Sequence, residues 1–122
     1  MAKKPILSTA EVKTLVQKYG APLYVYRKSV IEKRYRDLVR SIPYPNKKIF
    51  YACKANTNLE VMRHLRKLGS SIETVSLGEV HMALKAGFPP SRISYTCSNV
   101  SSSELLAVMR EGVRVHLDSL NQ

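Results

Sequence analysis

Ile49-Phe50-Tyr51-Ala52-Cys53 is a short apolar run, and Lys54-Ala55-Asn56-Thr57-Asn58 follows it directly. A run of that length is one buried strand, and the polar stretch behind it turns the chain toward a helix. From residue 48 onward the same alternation recurs, with β-type runs at 48–53, 71–75, 92–96 and 113–117. The period of roughly 20 residues holds one strand, one helix and two tight loops, as in successive βα units. Such units build either an open doubly wound sheet or a barrel. No Gly-rich phosphate fingerprint follows the first strand, and Ser76-Leu77-Gly78-Glu79 is not one, which weighs against a dinucleotide fold. Four βα-type strands are half of a barrel, and a whole one takes about 250 residues. The chain has 122, so the sequence is expected to break off in the middle of a fold.

Helix limits are marked on both sides. Ser-x-x-Glu, the capping-box pattern, occurs at Ser8/Glu11, Ser29/Glu32, Ser76/Glu79 and Ser101/Glu104. Gly20, Gly69, Gly87 and Gly112 each stand just past a periodic segment. Before the βα units, a helix near 9–19 carries Val12, Leu15, Val16 and Tyr19 on one side, and a strand-like run covers 23–26. A second helix near 29–41 is expected to bury Val30, Ile31, Tyr35, Leu38 and Val39, and Pro43 and Pro45 end it.

The net charge is +11, with much of the excess in Arg27, Lys28, Lys33, Arg34, Arg36, Arg40, Lys47 and Lys48. The pattern is that of the solvated outer face of an amphipathic helix plus a basic loop. A nucleic-acid footprint is the alternative, but no nucleic-acid motif accompanies the charge. Two cysteines, Cys53 and Cys97, make no disulfide framework and suit a reducing cytoplasm. His64, His81 and His116 are scattered without zinc spacing. No run is long enough to span a bilayer, and the basic start has no apolar segment behind it, so neither a membrane anchor nor a secretory signal is expected.

Lys54 is the residue with the most chemistry. At a strand end facing a cleft, a partly buried ammonium loses hydration and its free amine becomes able to attack a carbonyl. That suits a Schiff base with a carbonyl substrate or with pyridoxal phosphate. Considered alone, a lysine after a strand is more often a solvated loop charge.

The surrounding motifs change that balance. Gly20-Ala21-Pro22-Leu23-Tyr24-Val25-Tyr26, Tyr51-Ala52-Cys53-Lys54-Ala55-Asn56, Val75-Ser76-Leu77-Gly78-Glu79, the stretch from Ala83 through Gly87-Phe88-Pro89-Pro90 to Ile93, and His116-Leu117-Asp118-Ser119-Leu120 stand in this order. Together they resemble the N-terminal part of the diaminopimelate decarboxylases, within the fold-type III pyridoxal-phosphate decarboxylases. Ornithine and arginine decarboxylases are more distant relatives. The similarity runs from about Ser8 onward.

The resemblance implies a partial (βα)8 TIM barrel of the alanine racemase-like type, first half only, preceded by an N-terminal helix and strand. Residues 1–27 would form that N-terminal piece, and 28–122 the first βα units of a cofactor-binding barrel. It implies pyridoxal 5'-phosphate as cofactor, an amino-acid substrate and a homodimer. It also implies decarboxylation of meso-diaminopimelate to lysine, with Lys54 as cofactor lysine. Glu73 occupies a place where relatives usually have Asp near that lysine, and is one methylene longer. Ser76 matches the family motif, though its capping role explains it without chemistry. Cys97-Ser98-Asn99-Val100-Ser101 stands where many relatives have a Gly-Asn-Asn-Lys-Ser type segment, with Val100 in place of the lysine. Cys53 should point away from the site, toward the outer helices. The family's cofactor-stacking histidine, phosphate contacts, acid for the pyridine nitrogen and cysteine given across the dimer lie beyond Gln122. An inert product with an exposed sheet edge, a related barrel such as an alanine racemase, and a basic nucleic-acid-binding module are the competing readings.

Overall fold

The computed structural model describes residues 7–119. Lys3, Lys4 and Leu120 to Gln122 lie outside the described residues. Two helices come first, α1 (Thr9–Tyr19) and α2 (Lys28–Ser41). Strand and helix then alternate as β1 (Phe50–Ala52), α3 (Leu59–Lys67), β2 (Ser71–Thr74), α4 (Leu77–Lys85), β3 (Ile93–Thr96), α5 (Ser102–Arg110) and β4 (Arg114–His116). The four strands form one parallel sheet in the order β1-β2-β3-β4. This is an α/β architecture that climbs one strand at a time, as a βα-barrel does and as a doubly wound sheet, which reverses direction, does not.

Two faces follow from the period of the strands. One carries Tyr51, Ile72, Ile93, Tyr95 and Val115 against α3, α4 and α5, where Met62, Val80, Ala83 and Val108 complete the core. Thr74 is fully buried there, and its hydroxyl donates to the Ser94 carbonyl at 2.9 Å, so the polar atom is satisfied. The other face carries the opposite parity and looks into open space.

The glycine stops are real, and Gly87 shows why. After α4 the Gly87 N–H donates to the Leu84 carbonyl and the Phe88 N–H to the Ala83 carbonyl, the paired bonds of a Schellman motif. Gly87 sits at φ +89°, and a Cβ there would lie 3.3 Å from Arg66 Nε. Gly87→Ala should therefore cost about 1–2 kcal/mol from left-handed strain. A urea midpoint lowered accordingly, with an unchanged slope, is the expected observation.

Several local expectations need correction. The run at 23–26 is extended but belongs to no ladder among the described residues, and its side chains are exposed. An apolar run becomes a strand only where another strand meets its backbone groups, and none lies beside it here. Ser29 does not cap α2. Arg27 is the N-cap and its carbonyl accepts from Val30 and Ile31, so Ser29 is already helical. The Arg27 side chain pairs instead with Glu11 of α1. α2 buries none of its residues fully: Val30 and Leu38 stay exposed, and Ile31, Tyr35 and Val39 are half-buried. α1 likewise exposes Val12, Val16 and Tyr19. Both helices have apolar stripes, but the sheet reaches neither stripe fully.

The basic side of α2 matches the solvated-face reading. Lys33, Arg34, Arg36 and Arg40 are exposed, and two i,i+4 pairs, Lys33–Asp37 and Arg36–Glu32, thread it. Among the described residues no helix is long and apolar enough to cross a membrane.

Candidate active site

β1 ends at Ala52, and a single 3-10 turn, Cys53–Ala55, carries the chain away from the sheet with Lys54 at its centre. The turn is tied on both sides. The Asn56 N–H donates to the Cys53 carbonyl at 3.1 Å, and the Tyr51 hydroxyl donates to the Asn56 carbonyl at 2.9 Å. The Asn56 side chain accepts from the Asn58 N–H, and Asn58 caps α3 by accepting from Glu60 and Val61. Lys54 thus stands on a braced mount between a strand end and a helix start. Its side chain is exposed rather than partly buried. The expected cleft has one wall, because four strands leave the opposite side open.

Cys53 behaves as the alternation predicts. It is fully buried in the core between sheet and helices, and burial, with the Glu79 charge adding to it, pushes its thiol up to about 11. Alkylation of the folded protein at mildly alkaline pH should label the half-buried Cys97 first and leave Cys53 unmodified until denaturant is added. Mass mapping of the two cysteine peptides over time checks this.

Glu73 lies on β2 in register with Ala52 and with Ser94. Continuing that row, Ser94 pairs with Arg114. Glu73, Ser94 and Arg114 therefore project from the open face of the sheet, and with Phe50, Thr96 and His116 they line a shallow depression of about 360 Å³. Ser76 sits past the C-terminal end of β2. Its hydroxyl accepts from the Glu79 N–H at 3.2 Å as the N-cap of α4. The Glu79 carboxylate accepts from the Val75 N–H at 2.8 Å rather than from the cap residue itself. At the next helix Ser101 caps α5. Its Glu104 reaches across to accept from the Tyr95 hydroxyl at 3.3 Å, and burial holds that phenol above its ordinary range.

The structure thus brings Lys54 and Ser76 to the same end of adjacent strands, with Glu73 on the inward face below them. That end is the C-terminal one, where βα-barrels build their sites. Arg114, Ser94 and His116 share the inward face with Glu73 but drew no attention as a group in the sequence. The signal was there in the strand period once the register is known, since each stands one step apart in parity from a core residue.

A family model described as the pyridoxal binding domain of pyridoxal-dependent decarboxylases matches residues 28–122. The chain belongs to this family. The pyridoxal-dependent decarboxylase domain here is 46% identical over 119 residues to a diaminopimelate decarboxylase of Methanothermobacter thermautotrophicus, covering 96% of this chain and 28% of that one. Among solved structures it resembles a diaminopimelate decarboxylase of M. jannaschii in complex with L-lysine. The TM-score is 0.82 at 28% identity, over 91% of this chain and 27% of that one. A lysine/ornithine decarboxylase of Vibrio vulnificus complexed with putrescine is similar at TM-score 0.85 and 28% identity, over 95% and 32%. The chain therefore spans somewhat over a quarter of the length of the curated relatives it matches. The first half of a pyridoxal-binding TIM barrel is what the four parallel strands represent, and the fold expected from the sequence is the fold found.

Proposed function

We propose that this chain is the N-terminal part of a pyridoxal-phosphate-dependent decarboxylase that converts meso-diaminopimelate to lysine, with Lys54 as the residue that holds the cofactor. One observation carries the reading: the braced turn that sets Lys54 at the C-terminal end of β1, inside a matched pyridoxal-binding domain. We take 28–122 as the cofactor-binding unit and 1–27 as a separate N-terminal piece. The donor chemistry fits the cofactor at its aldehyde, since an exposed primary amine on a fixed turn can form a covalent bond to it. Bound pyridoxal phosphate supplies the electron sink for the pair left behind when a carboxyl group departs as carbon dioxide.

The chain's own residues contribute positioning. The Tyr51–Asn56 bond and the Asn58 cap limit where the Lys54 amine can travel. Glu73 places a carboxylate on the inward face beneath that amine, and Ser76 fixes the first turn of α4 at the neighbouring strand end. The diaminopimelate assignment rests on the relatives of that name. Decarboxylation of ornithine, arginine or a related amino acid is the second reading, favoured by the likeness to the lysine/ornithine enzyme. By the same resemblance the full-length enzyme acts as a homodimer in the cytoplasm.

Phosphate cradling and a partner for the pyridine nitrogen would come from the part of the relatives that this chain does not span. The 122-residue chain is therefore expected to capture the cofactor while releasing little or no carbon dioxide from diaminopimelate. Labelled carbon dioxide release is the measurement. Turnover comparable to a whole relative would contradict the division of labour proposed here, and release from ornithine but not diaminopimelate would favour the second reading.

A further inference from the structure

Ser101 and Glu104 have the spacing of a capping box, but only half of the box is closed. The Ser101 hydroxyl accepts from the Glu104 N–H at 3.2 Å, while the Glu104 carboxylate turns away from the start of its own helix. One oxygen, Oε1, accepts from the Tyr95 hydroxyl at 3.3 Å and from the Leu77 N–H at 3.4 Å. Leu77 is the first residue of α4, so its N–H is one of the donors that a helix start leaves without an intrahelical acceptor. A carboxylate placed there also faces the positive end of the α4 dipole. α5 thus supplies an acid that completes the start of the neighbouring helix.

That start is held from two sides. The Glu79 carboxylate accepts from the Val75 N–H, and the Glu79 N–H donates to the Ser76 hydroxyl. Ser76 therefore stands between two N–H groups that are each tied to a carboxylate, one from its own helix and one from the next. α4 in turn packs against the turn that carries Lys54. Cys53 is buried with Val80 and Ala83 of α4 in one core cluster, and the Glu79 charge is close enough to act on its thiol. At the far end of this chain of contacts Tyr95 is 1% exposed, so its hydroxyl is aimed by the core and cannot swing away. The contacts cross β2 and β3, the inner strands of the sheet, and not its open edges.

We propose that Glu104 is a positioning residue for Lys54 and acts on it through α4. Tyr95 aims the Glu104 carboxylate, the carboxylate fixes Leu77, and the first turn of α4, so fixed, supports the Cys53–Ala55 turn. With the Leu77 N–H released, the start of α4 frays and the turn packed against it gains room, so the Lys54 amine samples a wider volume. The use of that amine for pyridoxal phosphate rests on the proposed function; the link from Glu104 to the turn does not. The link needs an acceptor more than a charge. A carboxamide keeps a carbonyl oxygen that can accept from both Tyr95 and Leu77, and a methyl group keeps none.

Amide hydrogen exchange of the chain without cofactor reads the link itself. In Glu104→Ala the Leu77 and Asn56 amides should exchange roughly fivefold faster, the effect of losing one hydrogen bond. The Leu65 and Val108 amides, inside α3 and α5, should keep their rates. Glu104→Gln should leave all four as in wild type. Tyr95→Phe, which removes only the hydroxyl that aims the carboxylate, is the second variant should the alanine chain not fold, and should speed Leu77 and Asn56 by roughly twofold. Borohydride trapping at substoichiometric pyridoxal phosphate then reads the consequence. The share of label on Lys54 should fall by at least roughly threefold in Glu104→Ala and return in Glu104→Gln. Asn56 exchange unmoved by Glu104→Ala and Tyr95→Phe, a glutamine variant no better than alanine, or an unchanged Lys54 share in Glu104→Ala would each overturn the inference. A wild-type chain that takes no label at Lys54 would overturn the proposed function instead, and the exchange rates would still decide the role of Glu104.

Discussion

Lys54→Ala is expected to abolish specific capture of pyridoxal phosphate. The wild-type chain, titrated with the cofactor, should develop the absorbance of an imine that borohydride fixes irreversibly. The variant should need at least roughly tenfold more cofactor for the same signal, about 1.4 kcal/mol of lost affinity, with what remains spread over surface lysines. Fold should be untouched, because the Lys54 side chain is exposed and the turn beneath it is held by Tyr51, Asn56 and Asn58. Lys67→Ala or Lys85→Ala, also exposed but on the outer helices, should leave the signal as it is. Equal binding by all variants would mean that the turn gives Lys54 no advantage.

Phe88→Ala is expected to have the largest effect on stability. Phe88 is 2% exposed, lies in the core cluster, and closes the Schellman motif that ends α4. The Arg92 guanidinium lies 5.8 Å from its ring centre, and the same guanidinium donates to the Ser70 and Arg66 carbonyls. Removing the ring empties a site where α4 meets β3 and loosens Arg92. Aromatic-to-alanine changes in cores cost about 3–5 kcal/mol, against a total of about 5–15 for a typical domain. A sheet covered on one face stands at the low end of that range. The variant should therefore lose most of its cooperative urea transition at room temperature, whereas an alanine at the exposed Met109 should move the midpoint little. A Phe88→Ala transition within 1 kcal/mol, roughly, of wild type would show that the site collapses without penalty.

These expectations follow from what the sequence states locally and what it omits. Three of the strands after residue 48 were legible because Gly69, Gly87 and Gly112 stop the helix before each, and the first because Pro43 and Pro45 do so, signals that act within a few residues. Gly69, Gly87 and Gly112 all adopt positive φ where the pattern put helix ends. Ser8, Ser76 and Ser101 cap as expected. The place of Lys54 at a strand end was legible from the apolar run before it, and the motif around it, not a periodicity, is what singles it out for the proposed role. The misses share a cause. The run at 23–26, the apolar face of α2 and the burial of Lys54 all depend on a surface that must come from elsewhere. Amphipathic spacing reports what a segment is able to bury, and it carries no information on whether the covering layer is present. Ser29 failed for a different reason, since Arg27 already has the extended conformation of an N-cap and leaves the serine two residues too late. The row of Glu73, Ser94 and Arg114 needed the register, which no single strand encodes.

One lysine among eleven is proposed to hold the cofactor, and peptide mapping after borohydride reduction of the cofactor-treated wild-type chain identifies it. At substoichiometric cofactor the phosphopyridoxyl mass is expected to concentrate on the peptide that contains Lys54. Label distributed over the outer lysines, with the Lys54 peptide no richer than the rest, would contradict it.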